Sequence, residues 1–283
     1  MQKSIRSIGA SLLSLSFFLF GCDKQDNMEG GDIKFPPNVT IVNFHAIDNQ
    51  NNLLKFSGLR NFKETRAVPV KGLMSGERLL AIDIRPATGE LYAVTSQSRL
   101  YVIDPMSGIA NPISASAFTP AIDGEAVAFD FNPTVDRIRL VTSKGQNLRL
   151  HPVTGVVAAV DGMINPGMPM VVGAGYTNSF AGATSTTLYT IDVVSDKLFT
   201  QVPPNNGTLV EVGALGIDAM GEGGFDISPD NSISLAVLNT KGDGKTVFSA
   251  GSKYSFYYID LATGKSYPAG NTSRKIQGIS LTN

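Results

Sequence analysis

The 283-residue sequence has no tryptophan, one cysteine and two histidines. A lone cysteine, Cys22, excludes an intramolecular disulfide. His45 and His151 are the only histidines, and no H-E-x-x-H pair or second cysteine joins them, so a zinc centre lacks its usual ligands. No G-x-S-x-G nucleophile elbow is present. Gly221, Gly223 and Gly224 lead into strand-like sequence, which argues against a phosphate-cradling turn at a helix N-terminus. Charged residues make up 17% of the chain, the net charge is −1 and no Lys/Arg cluster occurs, which excludes an electrostatic footprint for nucleic acid. The missing tryptophan counts against tryptophan-rich carbohydrate platforms, although eight tyrosines offer other rings. No cofactor is expected, and nothing in the pattern calls for more than a monomer.

What the chain does have is a repeated unit, best seen from Ala81 to Gly108. Apolar residues alternate with polar or small ones in three runs, Leu79 to Ile84, Leu91 to Thr95 and Leu100 to Ile103, with Pro/Gly turns between them. This predicts an antiparallel meander. A shift of 47 residues lays Ala128-Phe129-Asp130 on Ala81-Ile82-Asp83, Pro152 on Pro105 and Gly155 on Gly108. An all-strand repeat of that length predicts β-propeller blades.

Units at about 79–115 and 124–161 are followed by one opening at Gly175-Tyr176-Thr177 and another at Gly224-Phe225-Asp226. Val39 to Ser57 matches only the second and third strands of the unit, while Gln277 to Leu281 reads as a first strand with nothing after it. Pairing the two removes two exposed sheet edges. The expected fold is therefore all-β: a five-bladed β-propeller spanning 39–283, closed by pairing of N- and C-terminal strands. The Gly/Asn-rich stretches Asn205 to Gly221 and Asn239 to Tyr254 read as loops, and a sixth blade hidden in them stays open.

The run Asp130-Phe-Asn132-Pro-Thr-Val-Asp136-Arg137-Ile-Arg139-Leu-Val, with Gly145-Gln146-Asn147-Leu-Arg149-Leu-His151-Pro after it, resembles the signature of a secreted bacterial propeller family known as domain of unknown function 4394. Thr187 to Asp192 and Gln201 to Leu209 extend the resemblance. It implies a propeller over roughly residues 41 to 282 and no established activity.

Lys3 and Arg6 precede an apolar run, Ile8 to Phe20, too short to span a bilayer, so residues 1–21 are expected to be a secretory signal. Leu19 and Gly21 before Cys22 resemble a bacterial lipobox, in which the cysteine thiol carries the lipid; Phe20 departs from the small or β-branched residue usual there. Residues 22–38 are polar and aperiodic, as expected of a flexible tether. Cys22-Asp-Lys-Gln-Asp26 resembles the acidic patch of surface-exported lipoproteins, whereas Asp directly after cysteine resembles an inner-membrane retention signal. The expected location is the outer membrane, attached through the lipid and facing either side.

Three groups of residues are candidates for function. Asp83, Asp130 and Asp226 recur at one inner-strand position, with Thr177 and Ser280 expected there in the other units. They could ring an ion or ligand on the axis, or accept N–H bonds from the turn that follows each, the preferred reading. Asp130, Asp136, Arg137, Arg139 and Arg149 could form an anion site. The expected register, Arg139 against Leu150 and Leu140 against Arg149, puts Arg139 and Arg149 on opposite faces and favours separate salt bridges. Glu77, Asp123, Glu125, Asp218 and Glu222 lie in loops entering the inner strands and predict an acidic channel mouth. That mouth would bind a glycan, a metal ion or an envelope protein; the competing class is a glycan hydrolase using two of these carboxylates as acid and base.

Overall fold

In the computed structural model, residues 41–240 and 254–282 are described; the signal, the tether, Cys22 and most of the stretch Asn239 to Tyr254 lie outside them. The strands, in chain order, are β1 Val42–Asp48, β2 Asn52–Gly58 and β3 Lys63–Pro69. Next come β4 Leu79–Ile84, β5 Leu91–Thr95, β6 Leu100–Ile103 and β7 Ala110–Pro112. They are followed by β8 Val127–Asn132, β9 Arg137–Thr142, β10 Asn147–Leu150 and β11 Val157–Val160. Then run β12 Val171–Tyr176, β13 Leu188–Asp192, β14 Lys197–Gln201 and β15 Leu209–Ala214. The last are β16 Ala219–Ile227, β17 Ser234–Thr240, β18 Tyr254–Ile259, β19 Ser266–Thr272 and β20 Ile276–Leu281.

These strands form five four-stranded antiparallel sheets. Four are consecutive meanders; the remaining one, blade 1, has the order β20-β1-β2-β3. The chain is thus a five-bladed β-propeller, closed as expected by pairing its last strand with its first. Phe44 faces Leu281 and Ala46 faces Ile279 across that seam.

Each blade carries a fourth, outer strand that the alternation did not reveal. β7 is only three residues long and β11 alternates half-buried with exposed positions, so neither has the apolar content that marks the other runs. The stretch Asn205 to Gly221 is not a loop: after a short turn it supplies β15 and the beginning of β16.

The inner strands are β20, β4, β8, β12 and β16. All of β12 and β20, and most of each of the others, is buried, because an inner strand packs on its neighbours at both faces. Small residues let these strands converge. A Cβ at Gly173 would lie 2.6 Å from the Cβ of Phe225, and one at Gly175 would lie 2.9 Å from Ile227. Ala81, Ala128, Gly173, Gly224 and Gly278 line an axial void of about 10 Å³. That is close to the ~10–15 Å³ a single water needs, so the inner strands leave no broad channel there.

The closing joint is aromatic. Phe44 stacks on Phe56 at 5.2 Å, and Phe62 and Phe256 meet Phe44 edge-on at 5.1 and 5.4 Å. Ile276, Ile279 and Leu281 of β20 are buried in the same cluster. Burial of each such side chain is worth about 1.5–3 kcal/mol, and a domain's net stability is only about 5–15 kcal/mol. Deleting Ile276 to Asn283 is therefore expected to abolish cooperative unfolding, measured by circular dichroism during a thermal ramp. A truncated chain that melts like the full one would show that the seam does not hold the ring.

Candidate functional site

On the axis, three carboxylates meet. Asp83 of β4, Asp130 of β8 and Asp226 of β16 are buried and have carboxylate oxygens within 4.8 Å of one another. Their hydrogen bonds explain the recurrence. Asp83 Oδ2 accepts the backbone N–H of Phe131 at 2.8 Å, Asp130 Oδ1 that of Tyr176 at 3.0 Å, and Asp226 Oδ2 that of Leu281 at 2.6 Å. Ser280 Oγ accepts the N–H of Ile84 at 3.1 Å. The inter-blade donors thus come from the next blade's inner strand rather than from the following turn. The fifth position is Gly175, not Thr177: Thr177 sits beyond β12, where its hydroxyl accepts the N–H of Thr187.

Burial holds all three carboxyls above the usual carboxylate range, and mutual repulsion raises Asp83 and Asp130 further. Asp226 is pushed up to about 7. Three carboxylates are ligands that a hard cation accepts, but here each already bonds a neighbouring inner strand, and the group acts as a hydrogen-bonded belt.

The acidic mouth is not a set of free carboxylates. Glu77 is buried, and its oxygens accept Thr95 Oγ1 at 2.8 Å, Tyr101 O–H at 2.6 Å and the N–H of Met74 at 2.9 Å. It is an internal brace of blade 2. Asp123 pairs with Lys144 at 2.7 Å and Glu222 with Lys275 at 2.8 Å. Glu125 and Asp218 are exposed.

The arginines change most against the sequence reading. Arg139 pairs with Arg149, and Leu148 with Leu140, because the β9–β10 turn takes up one residue more than expected. Arg139 and Arg149 therefore share a face, and Arg137, two residues from Arg139, points the same way. Rather than making separate salt bridges, both converge on Asp161, with Arg139 Nη1 at 2.6 Å and Arg149 Nε at 2.8 Å from its Oδ2. Like charges opposed across a ladder repel; the nearly buried Asp161 carboxylate between them offsets this.

Arg139 Nη2 also reaches Asn205 Oδ1 of blade 4 at 2.7 Å, and its Nε lies 3.5 Å from the hydroxyl of Tyr176. Asp136 is instead turned toward blade 2, where Arg85 grips it in a two-pronged pair and holds its carboxyl below the usual range. Arg137, Arg139, Arg149, Asn132, Tyr176 and Asn205 line a cleft of about 220 Å³ between blades 3 and 4, with Val135 and Pro204 as apolar wall. Asp161, Tyr176 and Asn205 were not legible as site residues. Asp161 lies 22 residues from Arg139 and Asn205 lies 66 away, and only the correct hairpin register would have drawn attention to that face.

Fold and sites together define a five-bladed propeller with a carboxylate-lined axis and an arginine-lined inter-blade cleft. The profile of the family described as Domain of unknown function (DUF4394) matches residues 52–281, and the chain belongs to that family. A search of curated proteins finds no match. Among solved structures, the chain is similar to one in a crystal structure of a nidogen/laminin complex, at 14% identity and a TM-score of 0.47, covering 86% of this chain and 99% of that one. It is also similar to PorZ, described as an essential bacterial surface component of the type-IX secretion system of human oral-microbiomic Porphyromonas gingivalis. There the identity is 12% and the TM-score 0.41, covering 81% of this chain and 28% of that one.

The axial carboxyls set a pH dependence. A carboxyl whose pKa rises on folding stabilises the fold fully below its unfolded value, and that stability is lost as pH rises through the folded value. For Asp226 the window runs from about 4 to about 7, and Asp83 and Asp130 act with the same sign. One pKa unit is about 1.4 kcal/mol, so the contribution is a few kcal/mol. Asp226→Asn is expected to flatten the fall of the melting temperature between pH 4 and pH 8 by several degrees. Parallel curves for the two proteins would contradict this.

Proposed function

We propose that the protein is a lipid-anchored envelope protein whose propeller binds a ligand without transforming it. The observation that carries the binding reading is how the polar groups are spent. Glu77 is locked inside blade 2, Asp123 and Glu222 are ion-paired, and the axis holds only a small void, so among the described residues these carboxylates do not face one another across an open pocket. An acid–base pair for glycoside hydrolysis needs carboxyls about 5–9.5 Å apart with room for substrate. The arginine cleft is instead concave, open and rich in donors, and it is the place at which a glycan or a partner protein of the envelope would engage.

The anchoring part of the proposal rests on Cys22 with Leu19 and Gly21 before it, and on the polar stretch 22–38 after it. It places a rigid propeller on a tether at the bacterial outer membrane. Labelled palmitate is expected to enter the wild-type protein and not Cys22→Ser; equal labelling of both would refute the anchor. Binding and turnover separate in a glycan array run beside a product-release assay. Retention without release is expected, whereas release that disappears in Glu125→Gln or Glu222→Gln would establish a hydrolase.

A further inference from the structure

The cleft between blades 3 and 4 holds more positive charge and more donors than the protein itself uses. Asp161 is the single carboxylate serving both Arg139 and Arg149. Asp136 is held by Arg85. Four guanidinium groups, Arg85, Arg137, Arg139 and Arg149, thus meet two carboxylates, Asp136 and Asp161, leaving an excess of two positive charges in a chain whose net charge is −1.

The donors give the same answer. A guanidinium has five N–H groups. Arg137 spends the two of Nη1 on the carbonyl oxygens of Val135 and Asp136, so three remain, on Nε and Nη2. Arg149 spends one at Nε and one at Nη2 on Asp161, so three remain there as well. Among the described residues nothing in the protein accepts them. Arg139 is different: Asn147, Asp161, Asn205 and Tyr176 occupy most of its fork, and its side chain is only 3% exposed, so it serves as the fixed floor.

We infer that this cleft is the binding site for an anionic sugar-sized ligand, whose carboxylate, sulfate or phosphate is gripped by Arg137 and Arg149 over the floor formed by Arg139. This deepens the binding reading given above and rests on it. Guanidinium forks match planar or tetrahedral oxyanions with paired, charge-assisted hydrogen bonds. Asn132 and Asn205 supply neutral hydrogen-bonding groups at the rim, and Val135 and Pro204 an apolar wall for the C–H face of a ring. The volume of about 220 Å³ lies below the ~300–1,000 Å³ typical of drug-sized sites. One sugar unit with its charged group is the scale of body that fits. The floor needs little ordering on binding, because Asp161 and Asn205 already hold Arg139, which limits the entropy lost.

Isothermal titration calorimetry of the full chain at fixed chloride concentration tests this, with glucuronate, glucose 6-phosphate, inorganic phosphate and sulfate as probes and glucose as the neutral control. Glucuronate or glucose 6-phosphate is expected to bind, at least tenfold more tightly than either inorganic anion, and glucose is not. R137Q is expected to weaken binding by about ten- to a hundredfold, since it removes a charged hydrogen-bond donor, while the melting temperature falls by no more than a few degrees, since at a half-buried position only the two Nη1 contacts to backbone carbonyls are lost. R137Q combined with R149K is expected to remove it. Equal binding of glucose, inorganic phosphate as tight as the sugar anions, or an R137Q affinity equal to that of wild type would each overturn the assignment. If no probe binds while the array retains a neutral glycan, this inference falls and the binding reading stands. If the array shows turnover, the binding reading falls whatever the calorimetry gives.

Discussion

The structure depends on one repeated interaction: an acceptor side chain on four of the five inner strands takes the backbone N–H of the following blade's inner strand. Asp83, Asp130, Asp226 and Ser280 do this around the axis. Inner strands of neighbouring blades share no ladder, so amides at the crowded axis need partners from elsewhere. An unpaired buried N–H costs about 1–3 kcal/mol, and the axial void of about 10 Å³ has room for at most about one water. A carboxyl is a suitable acceptor because its two oxygens can serve two inner strands. Asp83 bonds Ile84 with one oxygen and Phe131 with the other. The cost is three carboxyls buried close together, and burial and mutual repulsion hold them above the usual carboxylate range.

Where the belt lacks a side chain, the packing changes. Blade 4 has Gly175 at the belt position, and the N–H of Ile227 turns to Asp226 of its own strand instead. The missing Cβ lets β12 and β16 approach more closely than a larger residue would permit. The belt also reaches the cleft through Tyr176. Its backbone N–H is held by Asp130, and its hydroxyl lies beside Arg139. The axis therefore fixes one wall of the proposed anion site, and the insert carrying Asn205 supplies another.

Much of this architecture was legible in the residues. The 47-residue shift, the incomplete first unit and the orphan strand at Gln277 to Leu281 were enough for blade number and closure. Inner strands announce themselves because burial on two faces demands continuous apolar sequence. Outer strands such as Ala110–Pro112 do not, since solvent on one side removes the pattern. The register of β9 and β10 differs by one residue from the expected one because turn length, not hydrophobic alternation, sets it, and a one-residue slip moves an arginine to the opposite face. The mouth acids looked alike in sequence. Only tertiary contacts separate Glu77, buried against Tyr101, from Asp218 in solvent.

Native-state hydrogen exchange at the belt amides tests the central claim most directly. If the belt makes the five blades one cooperative unit, the amides of Ile84, Phe131, Tyr176 and Leu281 will exchange only through global unfolding, with opening free energies equal to the stability of the whole domain. Exchange of any of them through local openings well below that value would mean that the blades separate individually, and that the axis does not hold the ring together.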